Sequence, residues 1–133
     1  MSIAGIRQGL ASNLGNISRL RVESEIPDSV NPPTAVISLN NIEYDGAFQQ
    51  GLTTLNFTVQ LIVTRMAERR AQEKLDLYSE PTGEYSVKSA IESDRTLNGN
   101  ASDVRVESRP SVGSLQVDNT DYLAAEFAVI VYI

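Results

Sequence analysis

The sequence predicts an α+β domain: a largely antiparallel sheet of about five to six strands, flanked by an N-terminal helix and a central helix. Three observations carry this. Leu52 to Val63 alternates apolar and polar residues, with Leu55, Phe57, Val59, Leu61 and Val63 on one face. Tyr122 to Ile133 repeats the pattern with Leu123, Ala125, Phe127, Val129, Val131 and Ile133. Period two puts alternate side chains on one side of a pleated strand, and both runs are about twice the usual five or six residues. Between them lies a helical block, and strands grouped on either side of helices describe an α+β arrangement.

Each element can be justified in chain order. Ile3, Ile6, Leu10, Leu14 and Ile17 recur at helical spacing, so residues 2–15 read as an amphipathic helix ending at Gly15-Asn16. Gly5 and Gly9 weaken it intrinsically and would let it approach a neighbour closely. Residues 18–25 alternate weakly and suggest a short strand. Pro27, Pro32 and Pro33 then impose an extended loop. Residues 34–40 form the next strand, and 41–51, with Asp45-Gly46, form the long tip of a hairpin. Residues 67–78 are the best helix, with Ala67, Ala71, Leu75 and Tyr78 as its buried stripe. Val87, Ala90 and Ile91 mark a shorter helix. A polar loop over 94–102 follows, then two short strands, 103–108 and 111–118, separated at Pro110. Asn119-Thr120-Asp121 turns into the last strand. The expected order is α-β-β-β-α-α-β-β-β, in one domain spanning residues 1–133.

Composition narrows the function. The chain has 133 residues, no Cys and no His, which removes disulfides, imidazole and thiolate metal sites, Cys nucleophiles and Ser-His-Asp chemistry. Neither a catalytic residue, a metal nor a cofactor is expected. A net charge of −6 without a basic cluster argues against gripping nucleic acid, where phosphate neutralisation supplies most affinity. It is compatible with surrounding DNA without holding it. Arg7 and Gln8 interrupt the N-terminus before a signal-type apolar core forms. The longest apolar run, Phe127 to Ile133, falls far short of the ~18 residues of a membrane span. No membrane partner is expected.

Glu23, Glu25 and Asp28, with Glu43 and Asp45, could bind a cation or act as acid and base, but a solvated rim explains them as well. Arg69 and Arg70 could meet phosphate or an acidic partner; surface pairing with Glu68 and Glu73 is the commoner fate. Gly5-Ile6-Arg7-Gln8-Gly9 lacks the third glycine and the lysine of a phosphate loop. The sequons at Asn16, Asn56 and Asn100 read as chance, Asn56 falling within a strand. Ile130 and Tyr132 make the final strand apolar on both faces. Its second face is expected to be covered, by the N-terminal helix or by another subunit.

The helix from Ala67 to Tyr78, the stretch Pro81 to Gly99, the Val104-Arg105-Val106 strand and the closing Tyr122 to Val129 together resemble tail terminator proteins of phages with long, non-contractile tails. The likeness spans most of residues 52–133. Ala124 stands where that family often has Gly. The resemblance implies a structural virion protein of the tail and neck, assembled in the host cytoplasm. It implies a ring, of six subunits, that caps the tail tube and ends its polymerisation. The tail tube protein would lie on one side and the head-side connector or stopper protein on the other, with DNA passing unbound through the lumen. A head-to-tail closing or tail joining protein is the neighbouring alternative. An enzyme of different class, a small ligand-binding α+β domain using Glu43 or Asp45 as base, is the other. If the ring reading holds, contacts fall on projecting elements: Tyr44, Asp45, Phe48, Gln49 and Gln50 at the hairpin tip, Asn31 in the Pro-rich loop, Arg69 and Arg70, and Arg95 and Asn98 in the 94–102 loop.

Overall fold

A computed structural model describes residues 2–23, 30–44 and 53–133. In chain order the elements are α1 (Ile3–Leu14), β1 (Arg21–Glu23), β2 (Thr34–Tyr44), β3 (Thr53–Arg65), α2 (Ala71–Ser79), α3 (Val87–Ile91), β4 (Asp103–Val117) and β5 (Thr120–Tyr132). The fold is α+β. The five strands form one sheet in the order β1-β2-β3-β5-β4, with β1 parallel to β2 and every other pairing antiparallel. Tyr44, Thr53 and Tyr132 stand at one end of the sheet, here the lower end. Thr34, Arg65 and Tyr122 stand at the upper end.

Several boundaries differ from the sequence expectation. The two short strands expected around Pro110 are one strand, β4. It lies at the sheet edge, where a residue without an N–H costs no interior ladder bond. Register shifts between Val106 and Ser108 and between Ser108 and Ser111 absorb the irregularity. The central helix starts at Ala71 rather than Ala67. The Met66 N–H donates to the Asp121 carbonyl (2.8 Å), and the Glu68 carboxylate reaches the Thr64 hydroxyl and the Lys74 ammonium. The segment is thereby tied to the β5 entry and to the strand it leaves, and Ala67 is exposed. Residues 41–44 continue β2 instead of opening a loop. The hairpin between β4 and β5 turns at Asp118 and Asn119, both at positive φ (50° and 63°), as a two-residue turn matched to strand twist requires.

All three helices pack on one face of the sheet. Ile6, Leu10 and Leu14 of α1, Leu75 of α2 and Val87 and Ile91 of α3 join Leu55, Phe57, Val59, Leu61 and Val63 of β3 and Phe127, Val129 and Val131 of β5 in one core. The expectation that α1 covers the face of Ile130 and Tyr132 is therefore corrected: α1 lies on the opposite side, and both residues stay partly exposed. The apolar pattern of β5 is stronger than one buried face needs.

α1 is fastened to the turn after α3 at short range. The Asn13 side-chain amide donates to the Ile91 and Asp94 carbonyls (2.8 and 3.0 Å). A methyl group at Gly9 would fall 2.7 Å from Leu97 Cβ, so only glycine permits this approach. Ser2 caps α1 by accepting from the Gly5 N–H (2.9 Å).

Two substitutions test this packing. Val59 is fully buried between Ile37 and Phe127, and Val59→Asp is expected to cost more than about 4 kcal/mol and abolish a cooperative thermal transition. Thr58→Lys, one residue along on the other face, should still melt cooperatively within a few degrees of the parent. Gly9→Ala gains up to ~1 kcal/mol of helix propensity yet should lower stability by about 1–3 kcal/mol in urea unfolding, because the clash with Leu97 dominates.

Candidate partner-binding surfaces

The face away from the helices divides in two. At the upper end Val36, Ile62, Tyr122 and Ala124 form a small apolar cluster with Val30, flanked by Leu115 and Val117. Below it β2 and β3 present mainly uncharged polar side chains, with Glu43, Glu126 and Arg105 and the apolar Ala128 and Ile130 on the same face. Register aligns Ser38, Thr58 and Ala128 in one row, and Asn41, Asn56 and Ile130 in the next. A one-residue irregularity at Asn40 lets both Asn40 and Asn41 serve this face. The Asn40 amide donates to the Thr58 hydroxyl, and the Asn56 amide donates to Asn41 Oδ1 (2.6 Å). Asn56, which reads in sequence only as a chance sequon, is thus part of a side-chain ladder. Its signal was the density of Asn and Thr at the polar positions of β2 and β3.

The residues nominated from sequence fall at opposite ends of the sheet. Tyr44 closes β2 at the lower end and is 72% exposed. Arg95 and Asn98 are also at that end, because Asp103 pairs with Tyr132 and holds Arg95. Asn31 precedes Thr34 at the upper end, its carbonyl accepting from the Thr34 hydroxyl (2.8 Å). Arg69 and Arg70 follow the upper end of β3. Both are exposed, and Arg70 approaches Glu73 at 4.0 Å while Glu68 pairs with Lys74 instead. Asp45, Phe48, Gln49 and Gln50 lie outside the described residues. Glu23 and Glu43 do not converge: Glu23 stands beside Val36, seven residues up β2 from Glu43.

The loop over 94–102 is held by its own side chains. Asp94 accepts from the Thr96 hydroxyl (2.8 Å) and from the Asn98 and Thr96 N–H groups (3.0 and 3.2 Å), which holds its carboxyl below the usual range. Leu97, Asn98 and Gly99 all adopt positive φ. Arg95 binds Asp103 through two nitrogens (2.7 and 3.2 Å), lowering the Asp103 pKa and raising its own. Arg95 also lies 3.8 Å from Glu92. Its charge is spent inside the domain, whereas the exposed Asn98 side chain makes no hydrogen bond among the described residues.

A feature absent from the sequence reading protects the lower half of the β4 edge. The Val106 N–H donates to Glu92 Oε2 (2.9 Å), and Lys88 Nζ reaches the Val106 carbonyl (3.4 Å) and the same Glu92 oxygen (2.6 Å). Lys88 of α3 and Glu92 at its C-cap thus satisfy backbone groups that would otherwise invite another strand. Further along, Arg109 donates to the Ser79 hydroxyl (2.8 Å). The i,i+4 spacing of Lys88 and Glu92 was the available signal.

A second unexpected feature is a cleft of about 310 Å³ at the upper end, between α2 and the Pro32–Pro33 segment. Leu77, Tyr78, Tyr85 and the two prolines supply its apolar wall, and Arg19 and Lys74 its charge. Tyr78 and Tyr85 meet edge to face at 6.1 Å. Burial, then the neighbouring Tyr85, raises the Tyr78 pKa. Among the described residues no helix is long and apolar enough to cross a membrane.

No protein-family model and no curated protein matches this chain.

The clamp on β4 has a pH signature. Burial alone would raise the Glu92 pKa, but the bonds from Lys88 and the Val106 N–H, with the charges of Lys88 and Arg95, lower it overall. A carboxylate depressed in the folded state stabilises above its unfolded pKa and loses that contribution as pH falls through the folded value. The Glu92 side chain is only 16% exposed, so Glu92→Gln should cost about 1–2 kcal/mol at pH 7. In urea melts the gap between variant and parent should close as pH drops below the carboxylate range.

Proposed function

We propose that this chain is a non-enzymatic ring subunit of a phage neck, which caps the tail tube, ends its polymerisation and presents a docking face to the head-side connector. The observation that carries the reading is the one-sided sheet. Its helices are confined to one face, and the other carries, below its apolar cluster, a mostly uncharged patch of Asn, Thr, Ser and Gln on β2 and β3 beside Ala128, Ile130 and Tyr132 of β5. In a ring of about six copies, that patch would line the lumen. Neutral hydrogen-bonding groups on an acidic subunit let a polyanion pass, since nothing there can displace its counterions in bulk. Glu43, Glu126 and Arg105 punctuate the face without forming a basic track. Irregular, self-braced loops at one end and the arginine-bearing turn at the other suit a subunit that meets different partners above and below.

The test is electron microscopy of lysates from the parent phage with this reading frame stopped early. Filled heads beside overlong, unattached tails are the expected result. Tails of normal length with separate or leaking heads would move the protein to the head side of the neck. Intact virions would overturn the structural role.

A further inference from the structure

Resting on the ring reading, we infer that the upper cleft between α2 and Pro33 receives the Glu43–Tyr44 end of β2 from a second copy of this chain. Among the described residues Tyr44 is the most exposed of the large apolar side chains, at 72%, and it carries a carboxylate beside it at Glu43. Two others of that exposed group, Leu77 at 47% and Tyr85 at 37%, line the cleft. An aromatic ring set against Leu77, Tyr78, Tyr85 and proline removes apolar surface from water on both partners, and tyrosine is a recurrent anchor of this kind. The Arg19 cation at the same cleft, with Lys74 beside it and half-exposed in its pair with Glu68, complements Glu43 in charge. At about 310 Å³ the cleft has room for one aromatic side chain with its neighbours.

The geometry requires a second copy. Tyr44 pairs with Thr53 at the lower end, whereas the cleft is walled by Val63 and Thr64 of the same strand. Ten residues of β3 separate Thr53 from Val63, or roughly 33 Å at the rise of an extended strand. A side chain anchored in β2 at the lower end cannot span that distance. The contact joins two different patches of identical chains: made once per pair it generates rings where the rotation closes and filaments where it does not, whereas made reciprocally it would close a two-fold dimer, which native mass spectrometry distinguishes and which would overturn the ring.

The experiment treats the unmodified chain with a zero-length carbodiimide and maps coupled peptides in the oligomer, with native mass spectrometry of the untreated sample alongside. The expected product is an amide between the Glu43 carboxylate and the Lys74 amine, which a single copy cannot form. Coupling of Lys74 to Glu68, 3.4 Å away in the same chain, is the internal control. Tyr44→Ala should raise the concentration needed for assembly by about thirtyfold, the loss of one interface anchor. A closed oligomer without the 43–74 product, or Tyr44→Ala assembling like the parent, overturns the docking and leaves the ring reading standing. Coupling within open filaments supports the docking and overturns the closed ring. A chain that stays monomeric at every concentration overturns both.

Discussion

The pairing of β3 with β5 is the constraint on which the rest of the molecule depends. These neighbours at the centre of the sheet run antiparallel from Thr54 opposite Tyr132 to Arg65 opposite Tyr122. Their shared register lays Leu55, Phe57, Val59 and Leu61 beside Val131, Val129, Phe127 and Ala125, a continuous apolar floor. A slip of one residue would turn that floor to solvent and bring Asn56, Thr58 and Gln60 against the helices. Each helix has its position because it covers part of this floor; β2 and β4 have their register because each pairs with one of these two, and β1 adds to β2. The irregularities in β2, β3 and β4 fall at Asn40, at Val63 and on either side of Ser108, leaving the central rows of the β3–β5 ladder unbroken.

That one-sided construction also shapes what the surface can do. Helices on a single face leave the other to be defined by the outward half of each strand, and here its middle on β2 and β3 is filled by amides and hydroxyls, Asn40 bonding to Thr58 and Asn56 to Asn41. The long β4 edge is treated unevenly: α3 clamps it at Val106, Pro110 interrupts it, and the half beyond Ser111 is exposed. Partner-facing chemistry concentrates at the two ends. Tyr44 and the braced 94–102 loop occupy one, while the aromatic cleft and the Arg69–Arg70 turn occupy the other.

Much of the fold was legible in the chain because β3 and β5 follow a strict period of two over a dozen residues, and no tertiary contact had to override it. Pro110 misled because proline signals an end to pairing, and nothing local says that its strand lies at an edge. Ala67 misled because its neighbours are strong helix formers, and the ties of Met66 to Asp121 and of Glu68 to Thr64 are long-range or side-chain effects. Ile130 and Tyr132 suggested a cover for their face that the helices do not supply. Of the candidate site, Tyr44 was legible as a residue near a hairpin tip. The cleft was not, since Arg19, Pro33, Lys74 and Tyr85 come from four separate stretches and converge only through the fold. Arg95 looked available in sequence, but Asp103 lies eight residues on, a spacing that carries no local signal.

The proposed capping role is tested by adding the purified chain to a polymerising tail tube protein, with tube lengths measured by electron microscopy. If the chain caps tubes, their mean length falls as it is added and each shortened tube carries extra density at one end. Unchanged length distributions and bare ends, at concentrations where the chain itself is folded, would contradict it.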